Sequence, residues 1–521
     1  MAINIQRSRL TPEGSPYPPG TIDALADLLA ELDRQQVRYC SWKSNEHLAE
    51  ALAGRTDLDL LVDRADAGRF REVLERHGLK PLVPPPRMSF PGMWHQLGMD
   101  PASGRQFHLH VHESLVLGER YVKNHHLPIE REFLDSARPR DGVPVPSPEL
   151  ELGVLAARAL LKYRARDVVK DVLKIRTPGL QGPIRTELDW LLERTTVGRV
   201  GEALREARGV VPAPVACGFL QAYRRDARSG LEFLRLRTQL RSSLRALRRT
   251  GRLSASLDYG RTMWHRRRRL RLRPAEVRMQ PTTGGLTVGI VGADGSGKST
   301  IAAQVSEWIG WKLQVRSLYL GSKEPSRGSD WSYLAFRALR RGHRSVRAWP
   351  AGSVLSAPIA GARDVMLAMH HLSIGRDRTR RYRIGVREAE GGKIVIFDRF
   401  PLTSLAGDDP DHRLLDGPQI RSLLPATMGP ITRLLARAEE RMYREFRLPD
   451  RLIVLEVTPD VAIGRKPDHR PEIVTVKTRA VRELAALAQE RRGAQTVSRI
   501  DADRPLEEVL LDAQARVWDA I

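Results

Sequence analysis

The chain has 521 residues, with 86 lysines and arginines against 62 aspartates and glutamates, and a formal charge of +24. At about 150 residues per domain, this length points to roughly three units, and the charge favours anionic partners: phosphate-bearing ligands, nucleic acid or an acidic lipid surface. The only two cysteines, Cys40 and Cys217, are far apart and in no metal-ligand spacing, which excludes a disulfide framework and makes a reducing cytoplasm the expected setting. The opening lacks an apolar signal core, and no run of about 18 apolar residues follows.

Residues 1–20 are proline-rich and read as a flexible arm. Over 21–140, short β-like runs (LDLLVD, FHLHVHE) mix with helical ones (IDALADLLAELDRQQ, AGRFREVLERHG), the pattern of an α/β domain. Asp57 and Asp59, two apart in an extended run, point to the same side, where paired carboxylates can hold a divalent metal and a nucleoside triphosphate. FHLHVHE likewise places His108, His110 and His112 on one face, either as metal-ligating imidazoles or as polar residues of an exposed strand. Glu113 points the other way by alternation.

This segment resembles the nucleotidyltransferase superfamily, in which a helix carrying Gly-Ser precedes an Asp-x-Asp strand. Lys43-Ser44 stands at the Gly-Ser position, so the glycine is missing, and where the third carboxylate is expected FHLHVHE offers His108, His110 and His112, one of which can take its place. The resemblance implies a smaller α/β nucleotidyltransferase-like domain, with Asp57 and Asp59 as a second metal site.

Residues 141–250 are helical in pattern and carry no catalytic cluster. Residues 251–285 read as a linker, with four consecutive arginines from Arg266 to Arg269 and two more at Arg271 and Arg273. This stretch is a solvated connector or a contact for anionic lipid or nucleic acid. From Leu286 to Ile521, strand-like runs (LTVGIVG, KIVIFD, RLIVLEV) alternate with longer helical stretches, which predicts a parallel sheet with flanking crossover helices.

The chemistry is concentrated in 286–521. LTVGIVGADGSGKSTIAAQ fits the phosphate-loop pattern GxxxxGK[ST] with Gly292, Ala293, Asp294, Gly295, Ser296, Gly297, Lys298 and Ser299, followed by Thr300, between a β-like run and a helix former. The glycines let main-chain N–H groups converge on phosphate oxygens, and the following helix turns its positive end to the same point. In such a loop Lys298 neutralises the β- and γ-phosphates and the Ser299 hydroxyl coordinates Mg²⁺. GGKIVIFDRF sets Asp398 and Arg399 at the end of a buried strand, where ligands of parallel sheets collect. There Asp398 suits Mg²⁺ or its water, and Arg399 suits an acceptor phosphate. Arg465, Lys466 and Arg470 follow in a polar segment able to close over a transferring phosphoryl group.

In the order GADGSGKST, GGKIVIFDRFPLTSLAG, PDRLIVLEVTPDVAIGRK and IDADRPLEEV, residues 286–521 resemble the thymidylate kinase family of P-loop nucleoside-monophosphate kinases. SKEPSRG, Ser322 to Gly328, is similar to the family's Glu-Pro-Gly segment. The resemblance implies a parallel sheet wrapped by helices, Asp294 near the acceptor, Arg399 on the acceptor's phosphate and Arg465 in the lid. Where the family continues with an Ala-Tyr-Gln run reading thymine, this chain has Ala406-Gly407-Asp408.

The expected function is ATP- and Mg²⁺-dependent phosphoryl transfer to a nucleoside monophosphate or a related small phosphorylated acceptor. One alternative is a bifunctional kinase and nucleotidyltransferase acting on a sugar or glycan intermediate. The other is a regulatory protein that uses ATP only as a ligand.

Overall fold

The computed structural model describes residues 16–521 apart from 86–88, 91, 120–121, 174–179, 181, 227, 252–253, 255–256, 258, 262, 265–277, 323–326, 348–352, 403–414 and 425–428. Most of the amino-terminal arm, the arginines from Arg266 to Arg273, most of Ser322 to Gly328 and the segment Ala406-Gly407-Asp408 lie outside the described residues. The chain divides into two units, Met1–Val277 and Arg278–Ile521. Among the described residues no helix is long and apolar enough to cross a membrane.

In the first unit, five strands are hydrogen-bonded in the order β1-β2-β5-β4-β3: β1 (Tyr39–Ser41), β2 (Leu58–Val62), β3 (Lys80–Val83), β4 (Met93–Met99) and β5 (Gln106–His112). β2 and β5 run parallel, and the other neighbours are antiparallel. The period-two alternation sorts the two faces. Leu58, Leu60, Val62, Phe107, Leu109 and Val111 pack in one apolar cluster with α1 (Asp23–Arg34) and α2 (Ala67–Arg76). α1 contributes Leu25, Leu28, Leu29 and Leu32, an i, i+3, i+4, i+7 stripe, and α2 contributes Phe70, Val73 and Leu74. Burying each of these side chains stabilises the unit by about 1.5–3 kcal/mol. Asp59, His108, His110 and His112 alternate with these residues and so fall on the opposite face.

The helices of residues 141–250 share an apolar cluster with this unit. One apolar cluster runs from Cys40, Trp42 and Leu61 into the helices α3 (Pro148–Lys162), α4 (Gly182–Leu192), α5 (Val197–Glu206), α6 (Ala213–Arg225) and α7 (Gly230–Ser243). Pro148 opens α3 behind the N-cap Ser147, whose hydroxyl accepts the Leu150 amide. Both cysteines are free thiols.

The second unit is built on five parallel strands in the order β7-β8-β6-β9-β10: β6 (Leu286–Gly292), β7 (Val315–Tyr319), β8 (Ile394–Asp398), β9 (Arg451–Glu456) and β10 (Val497–Asp501). Ile394, Val395, Ile396 and Phe397 are fully buried, as a strand covered on both faces requires. Its helices include α8 (Lys298–Ile309), α9 (Arg327–Arg347), α10 (Ser353–Glu390), α11 (Pro430–Tyr443), α12 (Pro459–Arg465), α13 (Pro471–Arg492) and α14 (Leu506–Trp518). The alternation read from the sequence thus matches a mixed α/β unit with a parallel sheet. The chain leaves β6 towards β7 on one side and reaches β9 on the other, which makes the carboxyl end of β6 a topological switch point.

Candidate functional site

The loop from Gly292 to Gly297 occupies that switch point, between β6 and α8. Gly295 and Gly297 have φ of +88° and +83°, a region that side chains with a Cβ rarely adopt. At Gly295 an added Cβ would also lie 2.7 Å from the carbonyl oxygen of Ala462 on α12, so only glycine permits this close approach. Gly297 is the N-cap of α8, and the unsatisfied amides of the helix's first turn face out from the loop.

Lys298 is buried, and its Nζ donates to the Ala293 carbonyl at 2.5 Å. Burial, reinforced by the neighbouring Arg399 charge, pushes its pKa down to about 8, against the opposing pull of Asp294, Asp416 and Asp398. Ser299 and Thr300 are exposed at the start of α8, while Ala293, Asp294 and Ser296 are buried.

β8 delivers the second group of residues. Asp398 is its last residue, and Arg399 follows with φ +62°, held there as Phe400 N–H donates to the Ile290 carbonyl at 3.2 Å. Arg399 Nη1 lies 3.4 Å from Asp294 Oδ1 and 3.9 Å from Asp416 Oδ2, and its guanidinium sits 5.9 Å from the centre of the Tyr319 ring. Among the described residues, Ser296 Oγ, Asp398 Oδ1 and Arg399 Nε are buried without a hydrogen-bond partner. Ser296 lies in the loop and Asp398 and Arg399 at the end of the neighbouring strand, so unsatisfied buried polar atoms gather beside the loop. A hard divalent cation fits this donor set, since Asp398 offers an unused carboxylate oxygen and Ser299 a hydroxyl.

Asp294 gathers the charges. Burial alone would raise its pKa, but Lys477 Nζ at 2.7 Å, with Lys298 and Arg399, holds the carboxyl well below the usual carboxylate range. His469 Nδ1 approaches the same carboxylate at 3.7 Å. Arg465 is exposed at the end of α12 and donates to the Ala502 carbonyl at 2.8 Å, so Asp294 is met by His469 from the polar segment and by Lys477 from α13 rather than by Arg465. Asp416 is fixed in turn by buried Arg378, whose Nη2 meets its Oδ1 at 2.7 Å and whose Nη1 also donates to the Tyr443 hydroxyl at 2.6 Å.

Lys477, Asp416, Arg378 and His469 were not legible in the sequence. No fixed spacing links them to the loop, and each is one polar residue among many in a helix or turn.

The first unit carries a different cluster. Lys43 Nζ lies 2.7 Å from Asp59 Oδ1, which also faces His110 Nδ1 at 3.2 Å and His112 Nε2 at 3.5 Å. Burial would raise the Asp59 pKa, but Lys43 and the two histidines hold it well below the carboxylate range. Asp57 meets His108 Nδ1 at 2.8 Å. His95, from β4, is the cross-strand partner of His110 and a member of the cluster that the sequence did not suggest. Burial pushes its pKa down to about 2, helped by the neighbouring histidines. His112 instead packs edge-on against Trp42, and burial lowers its pKa to about 3. Ser44 does not continue a helix: it is left-handed at φ +59°, and its N–H donates to Glu187 Oε1 at 3.0 Å. Glu113 binds Arg71 and the Trp94 indole.

No family model matches the chain. The "Uncharacterized ATP-binding protein YghR" of Escherichia coli K12 is 26% identical over 234 residues, which cover 44% of this chain and 86% of that protein. The "Uncharacterized ATP-binding protein YghS" of the same strain is 27% identical over 225 residues, 43% of this chain and 88% of that protein. Among solved structures, deoxyadenosine kinase from M. mycoides with bound dATP aligns with 44% of this chain and 98% of its own, at a TM-score of 0.27 and 13% identity.

Proposed function

We propose that the second unit is an ATP-dependent phosphotransferase that moves the γ-phosphoryl group of ATP to the phosphate of a small acceptor, a nucleoside monophosphate or a related phosphorylated compound. The observation that carries the reading is the meeting of Lys298, Asp294, Asp398 and Arg399 at the carboxyl ends of β6 and β8, where Ser296 Oγ, Asp398 Oδ1 and Arg399 Nε are buried without a partner among the described residues. The naming of the relatives from Escherichia coli as ATP-binding proteins supports ATP as the triphosphate.

In this reading the loop amides and the first turn of α8 hold the β- and γ-phosphates, and the Lys298 ammonium spreads over their charge. Arg399 anchors the acceptor phosphate with parallel N–H bonds, and Asp294 holds both Arg399 and Lys477 in place. An acceptor phosphate oxygen attacks the γ-phosphorus as its bond to the bridging oxygen breaks and ADP leaves. Mg²⁺ held by Ser299 and Asp398 supplies neutralising charge on the phosphate oxygens when bound. Such transfer needs alignment and charge rather than a covalent nucleophile.

The alternative in which the first unit transfers nucleotides needs a divalent ion on Asp57 and Asp59, where Lys43 already balances Asp59. The proposal therefore rests on the second unit. Transfer from γ-labelled ATP to a panel of nucleoside monophosphates and sugar phosphates tests it, with Lys298→Ala as the inactive control. ATP binding without transfer to any acceptor would reject it in favour of the ligand-only reading.

A further inference from the structure

The polar face of the first unit's sheet holds a cluster that phosphoryl transfer does not use. The register β2-β5-β4 sets Asp59 beside His110 and His110 beside His95, so residues from three strands lie in one row. His108 stands next to them. Its ring is parallel to His95 at a centroid separation of 5.4 Å, and His110 is edge-on to both at 4.7 Å. One donor nitrogen each from His95, His108 and His110 lie within 4.8 Å of one another. We propose that His95, His108 and His110 form a binding site for a divalent transition-metal ion of the zinc class, with Asp57 and Asp59 as the carboxylates that orient the histidines.

The donor set selects the ion. Three imidazoles suit Zn²⁺, Cu²⁺, Ni²⁺ or Fe²⁺, whereas Mg²⁺ demands oxygen ligands and keeps its waters. His108 Nδ1 and His110 Nδ1 each face a carboxylate, at 2.8 Å and 3.2 Å, which turns the Nε2 atoms into the ligand positions. A carboxylate behind a metal-bound histidine fixes its tautomer and strengthens it as a donor. His95 is only 2% exposed, and among the described residues neither of its ring nitrogens has a hydrogen-bond partner. Burying an imidazole with both nitrogens unsatisfied is costly, and a metal bond to one of them removes part of that cost.

Zinc–nitrogen bonds of about 2.0–2.1 Å in a tetrahedron need nitrogens about 3.3 Å apart, so the ion draws the three rings inward by side-chain rotation. Asp57 Oδ2, 3.5 Å from His110 Nε2, stands beside the fourth position. The side chains of Asp57 and His110 are 28% and 22% exposed, which gives the ion its path in. This arrangement differs from the metal reading of the sequence. There the carboxylates are ligands and His112 belongs to the set; here Asp59 stands behind His110, Asp57 stands behind His108 with its other oxygen on the ligand side, and His95 replaces His112.

The test measures zinc in the purified full-length protein after exhaustive dialysis, and its affinity by competition with a chromophoric chelator. The expected result is about one equivalent in the wild type, unaffected by millimolar-scale Mg²⁺, and loss of that equivalent in His95→Ala and in His110→Gln. Asp57→Asn is expected to keep the site but weaken it by about 10- to 100-fold. Because His95 is buried, circular dichroism checks the fold of each variant, and the partly exposed His110→Gln decides the question if His95→Ala unfolds. Lys298→Ala, altered only in the second unit, is expected to retain the full equivalent. Absence of retained zinc in the wild type, or equal affinity in folded His110→Gln, overturns the proposal. So does displacement of zinc by Mg²⁺, which would return the site to the carboxylates.

Discussion

Lys477 Nζ lies 2.7 Å from Asp294 Oδ2, so a residue on α13 balances a carboxylate of the glycine loop 183 positions earlier in the chain. The pair sits where β6 ends, and the same carboxylate carries Arg399 on its other oxygen. Lys477→Met leaves Asp294 with less compensating charge and is expected to cost about 2 kcal/mol in urea unfolding. The pH dependence has a definite sign. Because the folded Asp294 carboxyl titrates below its ordinary value of 3.8, its stabilising contribution is present above about pH 4 and is lost as pH falls through the depressed value. Lys477→Met moves that loss to higher pH. Identical stability profiles for variant and wild type between about pH 3 and 7 would show that the pair is not coupled.

Lys298 gives a proton-linked prediction. Its folded pKa of about 8 lies below the ordinary 10.5, so the cost of holding it charged is present below about pH 8 and is relieved as pH rises towards 10.5. A triphosphate in the loop favours the charged form, and ATP binding near pH 9 is therefore expected to take up a proton. Calorimetry in buffers of different ionisation enthalpy reads this uptake directly. Lys298→Met is expected to abolish it and to weaken ATP binding by about 100-fold.

Arg399 separates acceptor from nucleotide. Arg399→Ala is expected to raise the acceptor KM by about 10- to 100-fold while the ATP dissociation constant changes by less than about twofold. Its φ of +62° adds a second readout that concerns only the backbone. Arg399→Gly is expected to be more stable than Arg399→Ala by about 1 kcal/mol, although both lack the guanidinium. Equal acceptor KM in wild type and Arg399→Ala refutes the anchoring role.

Gly295 tests the loop's shape without touching a charge. A methyl group there meets the Ala462 carbonyl at 2.7 Å in a backbone conformation already unfavourable to it. Gly295→Ala is expected to lose about 1–3 kcal/mol of stability and most of the ATP affinity, as denaturant melts and calorimetry would show. Retained affinity at wild-type stability would mean that α12 yields freely.

The parts of the site that could be read from the sequence are those written in one continuous stretch. The loop from Gly292 to Ser299 and the strand end Asp398-Arg399 carry local signals, glycine spacing and an apolar run meeting charges, and the structure sets both at the carboxyl ends of neighbouring strands. Lys477 and Asp416 reach Asp294 and Arg399 only through the packing of distant segments, so nothing near them in sequence marks them. His95 shows the same limit in the first unit. FHLHVHE announced its own alternation, but the partner strand bears a single histidine whose place beside His110 follows from antiparallel register. Alternation also could not separate His112, turned to Trp42, from the other two.

The order of the second sheet bears on how the protein comes to be made. Parallel neighbours cannot be joined by tight turns, and the link from β7 to β8 alone contains two long helices, α9 and α10. Contacts between such distant segments form slowly, because loop entropy is lost before the pairing rewards it. The bond between Asp294 and Lys477 joins segments 183 positions apart, so on dilution from denaturant, recovery of ATP affinity should lag behind recovery of helical signal. Nucleotide capture thus doubles as a report on completed chain assembly.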